Sequence, residues 1–328
     1  MLDINEELKT KIIGLNEVIT RKYSSILDKN FDLRKFLEEN IGSILKLEKL
    51  TLNELNEIKR KGGIVAVDGS TNRKGGSFPH YIELFQGLAK STDREVKDVF
   101  LTDIYTPLLS QEKNNPLEII AEEEIDEKNR RLAQIEIKVA LESAKRKKPF
   151  AIIMDGGLIR YKIYAKDLWK ELVDYCILNN VILFGTIKDI KTQIIGEEIK
   201  NKNKDVKGLI YDREMLFGTL QYKEMLLIYD ELNKKEQSGF SSGFIRSSLS
   251  PNVVGIDIIE EQSDLLIDMA RLIITLTPEN SRGVPLFLDI VDKEVKISDD
   301  LIEALLEKYL DRGIYERLFI SERDKRNL

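Results

Sequence analysis

Two stretches constrain this chain more than any others. "IVAVDGSTN" (Ile64 to Asn72) and "AIIMDGGL" (Ala151 to Leu158) each run short apolar residues into an aspartate followed at once by glycine. Each reads as a buried strand with its aspartate, Asp68 or Asp155, at the C-terminal end, the edge of an open α/β sheet where ligands bind. Burying a carboxylate without a partner is costly, so two of them at apolar strand ends point to a shared cation or strong hydrogen bonding. The following glycines let backbone amides approach a ligand closely. The simpler alternative is that Asp-Gly marks an ordinary turn.

The segments around these stretches indicate the architecture. Residues 2–60 read as helical, with Leu8, Ile12, Leu15 and Ile19 at helical spacing and Asp32 as a cap for a helix from Leu33. "KRKGG" (Lys59 to Gly63) stops the helices and feeds the first strand. Strands are expected at 63–68, 80–88, 98–105, 150–155 and 181–186. A long helix fills 117–147, opened by Pro116 and acids, and another fills 161–178. Three strands, then helix, strand, helix, strand predict an α/β sheet with an antiparallel start. Gly/Ser-rich "EQSGFSSGFIRSSLSPN" (Glu236 to Asn252) is expected to be a long mobile loop. Residues 260–276 fit either a helix or a strand pair, and 299–311 an amphipathic helix. The predicted division is a helical extension over 1–60 and an α/β domain over 61–328.

Composition narrows the chemistry. With one cysteine, Cys176, the chain has no internal disulfide and no multi-cysteine zinc site. With one histidine, His80, any metal site must be built from oxygen ligands, which suits Mg²⁺ or Mn²⁺. A net charge of −6 gives no global attraction to nucleic acid, so binding would need a local basic surface. No apolar run reaches membrane length and the N-terminus shows no signal-peptide core, so the expected compartment is the cytoplasm.

Cutting a phosphodiester with two metals takes three or four carboxylates. The long helix offers Glu136, flanked by Ile135 and Ile137, and Glu142, which Lys138 at i−4 makes more readily a solvated pair; Glu136 is preferred. Glu122, Glu123 and Glu124 read as a solvated face. Asp289 and Asp292, three apart, would share one face of a short helix. Arg282 and Lys188 are candidates for substrate phosphate, and Ser70 for a hydrogen bond to substrate or to Asp68. His80, at the start of the second strand, reads as structural rather than catalytic.

The ordered set "VAVDGS", "RLAQIE", "IMDGGL", "FGTIKD" and "RGVPLFLDIVD" resembles the NurA nuclease family over about residues 60–310. The resemblance implies an RNase H-like mixed sheet flanked by helices, here with the helical N-terminal extension. It implies a manganese-dependent nuclease acting on DNA ends, a homodimer, and partnership with a HerA-type hexameric DNA translocase in end resection. By position, Asp68, Glu136 and Asp155 would be metal ligands. Where family members often carry tyrosine and, eight residues on, histidine, this chain has Val284 and Asp292, so Asp292 is the candidate fourth ligand.

The resulting expectation is a DNA nuclease (5′-3′ exonuclease, with single-strand endonuclease activity as an addition) using Mn²⁺ or Mg²⁺. Lys188 and Arg282 would orient the phosphate, while "SAKRKKP" (Ser143 to Pro149) and the tail "ERDKRNL" follow the DNA backbone. The rivals are an actin-like ATPase or sugar kinase, which also uses strand-end Asp-Gly turns, and a catalytically inactive partner of a DNA motor. Against the kinase, Asp68 and Asp155 are close in sequence, and neither a Gly-rich adenosine loop nor a Walker-type loop is present.

Overall fold

The computed structural model describes residues 5–24, 31–109, 117–203, 208–233 and 239–320, with the side chains of 24 and 117–124 outside the description. The chain opens with helix α1 (Glu6–Ser24), then α2 (Leu33–Asn40), whose Asp32 cap accepts from the Lys35 amide at 3.0 Å. Strand β1 (Gly42–Lys46) follows, inside the stretch expected to be helical. It has a partner outside that stretch: Gly42 to Lys46 pair antiparallel with Ile228 to Glu224. Helix α3 (Leu52–Arg60) carries a capping box built by Thr51 and Glu54.

Strands β2 (Ile64–Gly75), β3 (Tyr81–Ser91) and β4 (Val99–Tyr105) form the expected antiparallel meander. The long helix α4 (Leu117–Arg146) leads to β5 (Ala151–Asp155). Pro116 and the tail 322–328 lie outside the described residues, as do the side chains of Glu122, Glu123 and Glu124. The helix expected at 161–178 is two, α5 (Ile159–Tyr164) and α6 (Lys166–Leu178), broken at Ala165; β6 (Ile182–Ile187) follows.

Beyond β6 come α7 (Ile194–Lys202), α8 (Asp212–Leu216), β7 (Glu224–Ile228), β8 (Phe240–Ile245) and β9 (Val254–Ile259). Strand β8 corrects the mobile-loop reading of 236–252, of which 236–238 lie outside the described residues. Its small residues serve packing: a Cβ on Gly243 would sit 2.5 Å from Met225 Cε and 3.0 Å from the Leu226 carbonyl. A 3-10 segment at Glu260–Leu265 leads into α9 (Leu266–Leu276), which settles 260–276 as helical. Helices α10 (Leu286–Val295), α11 (Asp299–Tyr309) and α12 (Arg312–Leu318) end the described chain.

The strands form one mixed nine-stranded sheet in the order β1-β7-β8-β9-β6-β5-β2-β3-β4. β2, β5 and β6 are parallel neighbours at its centre, flanked by antiparallel strands. The central strands are covered on both faces, which is why they read as unbroken apolar runs. Val65, Val67, Ile152 and Met154 pack under α4 and α6 with Ile137, Ala140 and Leu172. Ile64, Ala66, Ile153 and Phe184 pack under α9 and α10 with Leu272 and Leu288. This is the RNase H-like α/β arrangement, with helices before the sheet's first strand. Among the described residues no helix is long and apolar enough to cross a membrane.

Candidate metal centre

Strand alternation aims the first two acids. Asp68 follows Ile64 and Ala66 on the α9–α10 face of β2, and Asp155 follows Ala151 and Ile153 on the same face of β5. The parallel register pairs Val67 with Met154, so the next residues, Asp68 and Asp155, stand side by side. Helix α10 packs over β2 and supplies Asp292. One carboxylate oxygen from each of Asp68, Asp155 and Asp292 lies within 4.8 Å of the others.

Asp68 does not begin a turn. The parallel pairing with β5 stops at Val67, but the antiparallel pairing with β3 continues to Gly75 opposite Tyr81, so β2 runs straight on past the aspartate. Gly69 therefore has another role. A Cβ there would fall 2.5 Å from Glu136 Oε1 and 2.7 Å from Leu132 Cδ1. Its cross-strand partner Gly87 is similarly bare, with a Cβ position 3.3 Å from the Ile135 carbonyl oxygen. The two glycines make the groove into which α4 settles, bringing Glu136 against β2 from the opposite face. At the second motif the Gly156 amide still donates to the Thr186 carbonyl of β6 at 2.8 Å, but its φ of +110° bends the chain away from the strand directly after Asp155.

Glu136 is 1% exposed and stands outside the three-carboxylate group. Its Oε2 accepts from Arg160 Nη2 and, at 2.6 Å, from the Tyr161 hydroxyl, while its buried Oε1 has no hydrogen-bond partner. Arg160 Nη2 also donates to the Asp155 carbonyl at 3.0 Å. Arg160 and Tyr161 escaped the sequence reading. Their signal was present in "DGGLIRY", directly after Asp155, but only the packing of α5 against α4 shows that they meet Glu136.

The electrostatics follow from crowding acids in a dry place. Burial, then the charges of Asp155 and Glu136, push the Asp68 carboxyl up to about 9. Asp155 is raised by burial, opposed by Lys188 and by a hydrogen bond with Asp68. Burial also raises Glu136, against the pull of Arg160 and Tyr161. Lys188 donates to Asp155 Oδ2 and stands 4.0 Å from Asp292 Oδ1. Burial lowers its pKa, but the attraction of Asp155 more than offsets that and leaves the ammonium firmly charged.

The other predicted residues are placed as follows. Ser70 Oγ accepts from the Ile297 amide at 3.2 Å and so ties β2 to the segment after α10. Arg282 pairs with Asp289 at 2.6 Å, leaving Asp292 rather than Asp289 in the cluster. Glu142 pairs with Arg146 on the next turn of α4 instead of with Lys138. His80 is exposed at the tip of the β2–β3 hairpin, seven residues along β2 from Asp68, or about 23 Å at strand rise. Within "SAKRKKP", Lys145 pairs with Glu171, Arg146 with Glu142, and Lys147 with Asp93 and Glu95, so these cations are already neutralised on the surface. Val284 is buried in the core beneath α10.

The donor set fits a hard divalent cation. It consists of three converging carboxylates with nearby oxygens that lack partners: Glu136 Oε1, and the buried hydroxyl of Thr186, which pairs with Asp155 in the β5–β6 register. Comparison with known proteins agrees in kind. The model of the NurA domain family matches residues 62–297. The NurA nuclease structure from Sulfolobus solfataricus is 14% identical, with 95% of this chain and 98% of that one covered at a TM-score of 0.60. Endonuclease V from Bacillus subtilis (11% identical, 84% and 91% covered, TM-score 0.40) and the human endonuclease V catalytic domain (12% identical, 85% and 95% covered, TM-score 0.36) are more distant. A search of curated proteins finds no match.

Proposed function

The chain belongs to the NurA domain family, and on that premise we propose that it is a metal-dependent deoxyribonuclease hydrolysing phosphodiester bonds. The observation that carries this reading is the meeting of Asp68, Asp155 and Asp292 at one sheet edge. These three would hold Mn²⁺ or Mg²⁺, with Glu136 as a fourth ligand through its unpartnered oxygen. When bound, a pair of such ions supplies an activated water and neutralises charge on the leaving 3′ oxygen.

The chain's own groups prepare that chemistry. Burial raises the pKa of both Asp68 and Asp155, so the metal-free pair favours holding a proton that a bound cation would replace. Lys188, charged and only 20% exposed, stands on Asp155, from where it would meet a phosphate oxygen of bound DNA. Ser70 fixes the α10–α11 connection, and Arg282 pairs with Asp289, on the helix that supplies Asp292, with its charge felt at Asp292 and Asp155.

The same reading extends to 5′-3′ exonuclease and single-strand endonuclease activity, a nuclease domain over 61–328, and a cytoplasmic homodimer working with a HerA-type hexameric translocase in DNA end resection. The test is degradation of end-labelled DNA by wild type and Asp68→Asn with Mn²⁺, Mg²⁺ or EDTA. Wild type should cleave with either ion and not in EDTA. Asp68→Asn should lose about 100-fold or more, since even partners one bond removed from a metal are worth 10- to 100-fold. A wild type that never cuts, or a variant that cuts equally well, would sink the proposal.

A further inference from the structure

Two protein cations stand on the acids of this site, Lys188 on Asp155 and Arg160 on Glu136. The second pair is incompletely satisfied. Arg160 Nε is buried without a hydrogen-bond partner, and so is Glu136 Oε1. A buried orphan donor and a buried orphan acceptor in one ion pair carry a desolvation cost that a better-matched arrangement would remove. On the strand side Gly156 carries no side chain, and a Cβ there would lie 3.5 Å from Arg160 Nε, at ordinary contact distance. The guanidinium therefore lies against the Asp-Gly-Gly turn, next to the carboxylates, with its side chain 32% exposed.

From this geometry we infer that Arg160 is an exchangeable counter-cation: it holds Glu136 while the site lacks a divalent ion and passes to the scissile phosphate when the ion takes Glu136. The inference rests on the nuclease reading above. A guanidinium presents Nε and Nη2 as a planar fork that matches two phosphate oxygens. In the present arrangement Nη2 is shared among Glu136, the Asp155 carbonyl and, at 2.8 Å, the Tyr161 hydroxyl, while Nε has nothing. Losing Glu136 to a cation would leave Nη2 with only neutral acceptors and Nε still with none, and a phosphate supplies a charged acceptor to both nitrogens. Metal binding and DNA binding then favour each other reciprocally.

The molecule contains a reporter for this exchange. The Tyr161 hydroxyl donates to Glu136, and the Tyr161 ring stacks on Trp169, the sole tryptophan, at 5.7 Å between centroids and 12° between planes. Trp169 fluorescence during a Ca²⁺ titration thus reads the Glu136 end of the site without any turnover. Anisotropy of a fluorescein-labelled single-stranded oligonucleotide reads phosphate binding, with intactness checked on gels. In wild type, Ca²⁺ should perturb Trp169 and tighten the oligonucleotide by about tenfold, an ordinary coupling. Arg160→Gln should shift the Trp169 midpoint to lower Ca²⁺ and abolish the gain in DNA affinity. Arg160→Lys, which keeps the charge without the fork, should restore the midpoint but not the gain.

Full retention of the gain in Arg160→Gln, or a midpoint moved to higher Ca²⁺, would make Arg160 a prop for Glu136 and overturn the exchange. If Arg160→Gln does not fold, as circular dichroism would show, the wild-type and Arg160→Lys arms decide: no Ca²⁺-dependent gain in the first, or an undiminished gain in the second, overturns it. Failure of the nuclease reading looks different, because wild type would then show these binding responses and leave DNA uncut in Mg²⁺ and Mn²⁺.

Discussion

Asp68 is a carboxyl placed where its charge is unwelcome: 7% exposed, beside Asp155, with Glu136 close behind β2. Its pKa rises from about 4 in an unfolded chain to about 9 in the fold. The folded state therefore binds a proton that the unfolded state releases. Stability from this group is fully present below about pH 4 and is lost as pH rises through about 9; the raised Asp155 and Glu136 act in the same direction. Metal-free protein should accordingly lose Tm from pH 5 to pH 9. Asp68→Asn should flatten that slope and, at pH 8, stabilise the metal-free protein by about 1–3 kcal/mol. Thermal melts in EDTA check both, and a variant that melts lower at pH 8 would refute the account. The same substitution is expected to abolish cleavage, so stability and activity are opposed at this residue. The existence of Asp68 and Asp155 as a pair was legible in sequence because apolar runs ending in Asp-Gly are conspicuous. The role of Gly69 was not, because what it makes room for lies more than sixty residues away on α4.

At the scale of elements, the site depends on how closely α4 lies on the β2–β3 pair. Gly69→Ala would drive a methyl into a carboxylate already fixed by Arg160 and Tyr161. It should cost about 1–3 kcal/mol, the usual scale of overpacking. Gly87→Ala, with its nearest contacts at 3.3 Å, should cost less. Urea midpoints measure both, and equal midpoints would show that α4 can lift without penalty. The same helix separated Glu136 from Glu142 only in three dimensions. Both sit on a helix of helical periodicity, but Glu136 faces β2 while Glu142 is 43% exposed beside Arg146. Strands β1, β7, β8 and β9 were not anticipated for a related reason: segments of five or six residues carry little pattern of their own, β1 and β8 are partly Gly and Ser, and all four become strands by pairing with one another and with β6.

For the whole molecule, α1 is the conspicuous unfinished surface. Leu8, Ile12, Leu15 and Ile19 are 47–58% exposed, although their 4-3-4 spacing is the seam of a two-stranded coiled coil. Its last turn meets the body through Tyr23, and ion pairs such as Glu7–Lys11 flank the stripe. On the homodimer proposal, this apolar seam would be the contact with the second copy. Sedimentation equilibrium should give a dimer for wild type and a monomer for Ile12→Glu/Ile19→Glu. A dimer in both would locate the contact elsewhere, and a monomeric wild type would end the homodimer proposal.

By itself the sequence determined that two aspartates end apolar runs on buried strands, that a metal here must be held by oxygen, and that the order of motifs is that of the NurA family. Burial patterns and side-chain chemistry are local properties, so they are written locally. Tertiary structure alone decided that β2 and β5 lie side by side, that Arg160 and Tyr161 take hold of Glu136, and that β2 carries on past its aspartate. Each of these depends on which surfaces come within a hydrogen bond of one another, and the register between distant strands and helices sets that distance.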